Sequence, residues 1–271
     1  NAAVSVSLSS GTGTGGHAQG DTLSAIENLA GSAYADTLTG DSGANVLSGN
    51  DGDDLLSGAG GADTLNGGNG NDTLVGGAGA DALNGGAGTD IADYSASTSG
   101  VTVRLDGLAS SGGDAAGDVL TGIEHVLGTT LADTLIGSAS ADQLDGSDGD
   151  DVLLGAGGGD VLTGGAGLDT LDYTGSASGV TINLTTLSAS GGDAAGDSFS
   201  GIENVTGSSN ADTLTGDTGI NVLSGGGGDD ILAGGAGADT LSGGSGTDTA
   251  DYSASSAAVT VNLATLTVSG G

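Results

Sequence analysis

Aspartate recurs in this chain at nine-residue intervals. It stands at Asp36, Asp54, Asp63, Asp72, Asp81 and Asp90, with Asn45 filling the one gap. The beat returns at Asp133, Asp142, Asp151, Asp160 and Asp169, and again at Asp212, Asp230, Asp239 and Asp248 with Asn221 among them. A leucine follows most beats by two residues, as at Leu38, Leu47, Leu56, Leu65, Leu74 and Leu83. A glycine precedes every beat by five, from Gly31 and Gly40 through to Gly243. Few folds can accept an acidic residue, an apolar residue and a turn residue on so short and strict a clock.

A longer period contains the beats. The pairs Asp93-Tyr94, Asp172-Tyr173 and Asp251-Tyr252 are evenly spaced, and each is followed by an alternating apolar run beginning at Val101, Val180 or Val259. Next come GGDAAGD stretches, 112–118 and 191–197, and then Gly-Ile-Glu at 122–124 and 201–203. The chain thus divides into repeat blocks 36–92, 133–171 and 212–250, with connectors 93–132 and 172–211 between them. An incomplete connector, 1–35, precedes the blocks, and a truncated one, 251–271, follows. The interval from Asp21 to Asp118 exceeds the long period by two nonapeptides, so length changes in steps of two beats.

A quantum of two nonapeptides follows if each makes half a turn of a coil. One extra nonapeptide would put all later elements on the wrong side, whereas a pair preserves phase. Glycine supplies the tight turns, and the three residues around each leucine form a short strand with the leucine inward. A single nonapeptide cannot bury its leucine, so only stacking gives a core. The expected fold is all-β, a parallel β-solenoid of 18-residue coils. At ~4.8 Å per coil and ~15 coils, it would form a rod roughly 70 Å long.

Composition removes the alternatives. Sixty glycines in 271 residues disfavour helices, since each costs about 1 kcal/mol in a helix interior. Thirty-five acids face one base, Arg104, for a formal charge of −34. Nucleic-acid binding, which needs a basic footprint, is excluded. No apolar run is long enough for membrane insertion. There is no cysteine, hence no disulfide or thiolate site. So acidic a chain would usually be disordered, yet its mean hydropathy is +0.09.

Stacking sets Asp54 under Asp72 and Asp72 under Asp90, with Asp63 and Asp81 on the opposite edge. Carboxylates a few ångströms apart repel by several kcal/mol at a moderate effective dielectric. With no lysine and one arginine, the counter-charge must come from solution. Carboxylates plus glycine-loop carbonyls make an all-oxygen, flexible donor set, which favours Ca²⁺ over Mg²⁺ and over Zn²⁺ or copper.

The nonapeptide Gly67-Gly68-Asn69-Gly70-Asn71-Asp72-Thr73-Leu74-Val75 resembles the G-G-x-G-x-D-x-U-x repeat of the RTX (repeats-in-toxin, haemolysin-type calcium-binding) family. So do the repeats beginning at Gly76, Gly85, Gly164, Gly234 and Gly243. The resemblance implies a β-roll with Ca²⁺ held between turns two nonapeptides apart, at the pairs Asp54/Asp72, Asp63/Asp81, Asp72/Asp90, Asp142/Asp160, Asp151/Asp169, Asp212/Asp230 and Asp230/Asp248. Expected metal ligands are the beat residues, including Asp36, Asp133, Asp239, Asn45 and Asn221. With them go the turn glycines Gly49, Gly58, Gly67, Gly76, Gly85, Gly146, Gly155, Gly164, Gly225, Gly234 and Gly243. The resemblance also implies type I export and folding outside the cell.

Some repeats depart from the pattern. Those ending at Asp36, Asp133, Asp142 and Asp212 lack the second and third glycines, so weak binding or no ion of their own is expected. Asn45 and Asn221 keep an oxygen and lose a charge. Asp118 and Asp197 stand open between calcium contact and plain turn residue, and the Glu of Gly-Ile-Glu between ligand and surface carboxylate.

His17 and His125 match Asp or Asn in the other copies, which favours surface residues over catalysis. Paired acids such as Asp53/Asp54 are read as turn residues, and Tyr94, Tyr173 and Tyr252 as plugs where blocks meet connectors. The expected protein is no enzyme. It is a calcium-loaded structural solenoid from a bacterial extracellular or cell-surface protein, such as an adhesin stalk, surface layer or filament, with possible self-association. Because its long repeat is cut at both ends, it reads as part of a longer array. The alternatives are a non-catalytic RTX module of a secreted enzyme (alginate epimerase, protease or lipase type) and an ice binder, for which the outward positions are too mixed.

Overall fold

The computed structural model describes residues 2–263 and 267–270. The truncated connector 251–271 is therefore described only as far as Leu263 and along the backbone of Thr267–Gly270. Strands of two to six residues alternate with tight turns, and among the described residues helix is confined to three short 3₁₀ turns, Gly16–Ala18, Gly113–Ala115 and Gly192–Ala194. Among the described residues no helix is long and apolar enough to cross a membrane.

The chain winds into a parallel β-solenoid of about 12 turns. Within a block, successive strands on one face are two nonapeptides apart and pair in register: Leu38 with Leu56, Leu56 with Leu74, and Leu47 with Leu65 on the opposite face. The period dictates this register. A leucine at every second beat on each face can be enclosed only if leucine stacks on leucine, and a one-residue slip would turn the ladder out to solvent. The ladder side chains Leu38, Leu47, Leu56, Leu65 and Leu74 are 0% exposed, as are Leu135, Leu144, Leu171, Leu214 and Leu223. Each such burial is worth about 2 kcal/mol. They form one continuous core with Ala92, Val103, Leu120, Val126, Ile182 and Phe199.

Connectors continue the solenoid. Ala92, last of the first block, pairs with Val126, and Leu162 pairs with Phe199. Paired rungs there are separated by more chain than two nonapeptides supply. The extra chain leaves the coil as an antiparallel excursion: Thr181–Asn183 pairs with Ser188–Ser190, and Ser5–Ser7 with Thr12–Thr14. This explains why fewer turns form than dividing length by period suggests. Each GGDAAGD stretch becomes a 3₁₀ turn that buries one alanine, Ala115 or Ala194. The strand faces are also handed over at connectors. Val119–Thr121 ends one five-stranded face and Thr102–Arg104 begins a seven-stranded one, while the ten-stranded face ends at Ser198–Ser200.

Candidate metal seats between coils

Fifteen of the seventeen beat side chains are turned inward and buried, whereas Asp239 is half-buried and Asp248 exposed. Asp54, Asp63, Asp72, Asp81, Asp90, Asp151, Asp160, Asp169 and Asp230 are all at most 3% exposed. They stack in columns, and each column is tied by its own backbone. The Asp36 N–H donates to Asp54 Oδ1 at 2.7 Å, that of Asp54 to Asp72 Oδ1 at 2.8 Å, and that of Asp72 to Asp90 Oδ1 at 2.8 Å. The other columns run from Asn45 through Asp63 to Asp81, from Asp133 through Asp151 to Asp169, and from Asp212 through Asp230 to Asp248. Asp142 is joined to Asp160, and Asn221 to Asp239. An amide hydrogen thus stands between successive carboxylates and satisfies one oxygen of each. This is gentler than the bare file of charges suggested by stacking alone.

The second oxygen is different. Oδ2 of Asp54, Asp63, Asp72, Asp81, Asp90, Asp151, Asp160, Asp169 and Asp230 is buried with no hydrogen-bond partner. Leaving a buried polar acceptor unsatisfied costs about 1–3 kcal/mol, and more when it is charged. Burial accordingly pushes these carboxyls up, against the opposing pull of the backbone N–H. Asp54, Asp81 and Asp160 rise to about 6 and Asp151 to about 7, and Asp63, Asp72, Asp90, Asp169 and Asp230 shift in the same direction.

Oxygen converges on these atoms. A Cβ on Gly67 would collide with Asp72 Oδ2 and lie 2.5 Å from the Gly85 carbonyl oxygen of the next coil. Gly49 is placed likewise between Asp54 and Gly67 O, and Gly58 between Asp63 and Gly76 O. Gly146 sits between Asp151 and Gly164 O, and Gly225 between Asp230 and Gly243 O. The carbonyls of Gly155 and Gly234 face Gly137 and Gly216 in the same manner, at the rungs of Asp142 and Asn221. Only a residue without a side chain leaves the gap open. The carbonyls of Asn50 and Gly52 press against Gly68 and Gly70 of the following coil, where only glycine leaves them room. Among the described residues no three carboxylate or imidazole groups gather as a metal cluster. A cation held here would take one carboxylate oxygen together with carbonyls, which suits a hard, flexible ion such as Ca²⁺. The residues fit the ion.

Two contributors escaped the sequence reading. At the end of the first block, the carbonyl facing Asp90 is that of Gly122, and at the end of the second, that of Gly201 faces Asp169. Both belong to Gly-Ile-Glu, whose recurrence was the available signal. The glutamates of that motif close the columns: Glu124 Oε2 accepts the Asp90 N–H at 3.0 Å, and Glu203 Oε2 that of Asp169 at 2.9 Å.

Asp118 and Asp197 terminate the other column of the first and of the second block, taking the N–H groups of Asp81 and Asp160. Their second oxygens accept the hydroxyls of Tyr94 and Tyr173, each at 2.9 Å. Tyrosine therefore supplies the donor that the nine rungs with a bare Oδ2 lack. Burial beside these carboxylates pushes both phenols up, and burial lifts Asp118 to about 6. His125 is half-buried rather than on open surface, held in a strand row between Ile91 and Gln143, and burial lowers its pKa. Arg104 pairs with Asp106, the one ion pair among the described residues.

The family model of the RTX calcium-binding nonapeptide repeat matches residues 30–65, 57–92, 127–162, 153–175, 206–241 and 215–250, together more than half of the chain. A comparison with the curated proteins finds no match.

Proposed function

Because the chain belongs to the RTX calcium-binding nonapeptide repeat family, we propose that it is a calcium-stiffened structural segment of a secreted bacterial surface protein, of the adhesin stalk, surface-layer or filament kind, and that it catalyses no reaction. The observation that carries this reading is the set of nine buried Oδ2 atoms without a donor, each beside a gap that only glycine keeps open.

The residues that would hold calcium are Asp54, Asp63, Asp72, Asp81, Asp90, Asp151, Asp160, Asp169 and Asp230, with the carbonyls of Gly67, Gly76, Gly85, Gly122, Gly164, Gly201 and Gly243. By repetition Asp239 and Asp248 join them. Calcium, when bound, supplies the positive charge that a chain with 35 acids and a single base lacks. The chain's own part is to align carboxylates through the Asp N–H ladder, to bury leucine beneath them, and to exclude side chains from the gap. Binding free energy then becomes folding free energy. Such coupling suits a protein exported unfolded through a type I system into a calcium-rich exterior, where a rigid rod can associate into arrays.

The test is far-UV circular dichroism and sedimentation of the chain in EDTA and in millimolar Ca²⁺. Calcium is expected to convert an expanded polyanion into a compact β-structure. Equal folding in both conditions rejects the proposal.

A further inference from the structure

The seventeen beats fall into two structural classes, and the division is not random along the chain. In eleven repeats the second residue has positive φ: Asn50, Ala59, Gly68, Gly77, Gly86, Ser147, Ala156, Gly165, Gly226, Gly235 and Gly244. Among these are all nine repeats whose aspartate carries a buried, partnerless Oδ2. In the other six the second residue is Ser32, Asp41, Thr129, Ser138, Ser208 or Asp217, none with positive φ.

In those six the second residue turns its N–H onto the beat side chain. Ser32 donates to Asp36 Oδ2, Thr129 to Asp133 Oδ2 at 2.6 Å, Ser138 to Asp142 Oδ2 at 2.6 Å and Ser208 to Asp212 Oδ2 at 2.7 Å. Their hydroxyls add second bonds to the same carboxylates, at 3.0, 3.0, 2.9 and 3.1 Å respectively. Asp41 and Asp217 donate their N–H groups to Asn45 Oδ1 and Asn221 Oδ1, and each asparagine amide donates onward to a carbonyl, Glu27 O or Glu203 O. A local turn fixes the conformation. In five of the six the second residue's side-chain oxygen accepts the N–H two residues on, from Gly43, Leu131, Ser140, Asn210 or Gly219. Such Asx and Ser/Thr turns hold ordinary φ. Ser147 shows that serine alone does not suffice: with Gly149 two residues later at φ 129, it takes φ 76 and leaves Asp151 bare.

The six closed rungs are those of residues 36 and 45, 133 and 142, and 212 and 221. They are the first two beats of each block, which make one complete coil. We infer that each block opens with a coil sealed against cations by its own second residues, a calcium-independent template on which the calcium-requiring coils stack. The inference rests on the calcium reading above. It goes further by dividing the rungs into two functional kinds and naming Ser32, Thr129, Ser138 and Ser208 as the residues that decide. With its internal donors the sealed coil leaves no Oδ2 without a partner when calcium is absent: Asp36, Asp133 and Asp212 accept on both oxygens, and Asp142 accepts twice on Oδ2. The connector before it adds a hydrogen bond at the first column head of each block, from the N–H of Val4, Val101 or Val180 to Asp36, Asp133 or Asp212 Oδ1.

The experiment is hydrogen exchange by mass spectrometry on the full chain, with EDTA and with Ca²⁺, read by segment. In EDTA, segments 31–47, 128–144 and 207–223 are expected to exchange about tenfold more slowly than 49–92 and 146–171. In Ca²⁺ all should be protected. The double substitution Ser208→Gly with Asn210→Gly turns the third opener into a standard nonapeptide. It should abolish protection of 207–223 in EDTA, leave 31–47 and 128–144 unchanged, and restore protection of 207–223 in Ca²⁺. Uniform exchange in EDTA that Ca²⁺ suppresses overturns the sealed coils and leaves the calcium reading intact. So does a double variant that keeps its EDTA protection. Exchange that ignores Ca²⁺ altogether overturns both.

Discussion

Protons should replace calcium. Asp54, Asp81, Asp118 and Asp160 rise to about 6 in the folded chain and Asp151 to about 7, all through burial, against an ordinary value of 3.8. A carboxyl whose folded pKa is raised binds its proton more tightly when folded. Its contribution is therefore present at low pH and is lost as pH climbs from 3.8 through the folded value. Between pH 4 and 6 the folded chain holds up to five protons that the unfolded chain has released. Each changes stability by about 1.4 kcal/mol per pH unit, so five give about 7 kcal/mol per unit. Asp81 and Asp118 lie in one column and titrate together rather than singly, as coupled sites do, and half that slope, about 3–4 kcal/mol per unit, still makes a sharp transition. The chain in EDTA should be expanded at pH 8 and should regain β-structure and a compact sedimentation profile on acidification toward pH 5. With Ca²⁺ present, the same window should show folded protein throughout. A chelated chain that stays expanded at pH 5, and compacts only where ordinary carboxylates titrate, would refute the claim that burial of these aspartates opposes the calcium-free fold.

Other perturbations separate the kinds of rung. Gly67→Ala fills the gap beside Asp72, and calorimetric titration should show fewer calcium ions bound, with an unchanged count refuting the seat. Tyr94→Phe leaves the fully buried Asp118 without its hydroxyl donor and should cost about 2 kcal/mol, equally at all calcium concentrations, as read from urea melts. Rescue by added calcium would mean that Asp118 takes the ion itself. Asp142 occupies the rung that Asn45 and Asn221 fill in the other blocks, where the asparagine amide donates to Glu27 O or Glu203 O. Asp142→Asn should therefore raise stability in EDTA by about 1 kcal/mol. A neutral or negative effect would break the equivalence of the three blocks.

Much of this architecture was legible because period and chemistry constrained each other. Leucine at every second beat on each face allows one register, and Leu38, Leu56 and Leu74 take it. The inward aspartates follow from the same phase. Their N–H ladder was not legible, since it depends on how far Asp54 reaches toward the coil before it, a matter of side-chain torsion rather than spacing. The connectors resisted for another reason. Nothing in the run from Val101 to Asp118 states that Asp118 will stand where a nonapeptide would put a beat, in the column of Asp81. Only the folded chain brings the Tyr94 hydroxyl to it. The class of each rung was half visible: missing glycines marked the repeats of Asp36, Asp133, Asp142 and Asp212 as unusual, yet Ser32 and Ser147 share a residue type and differ in φ, which the repeat pattern does not state.

The N–H ladder also gives the rod a direction. Each aspartate side chain lends an oxygen to the amide of the coil before it and none to the amide of the coil after it, so injury to a side chain should travel toward the amino end. Trimming Asp72 to alanine would strand the amide of Asp54 and leave that of Asp90 untouched. A coil of this kind is completed by its successor, much as a course of roof tiles is held down by the next one laid.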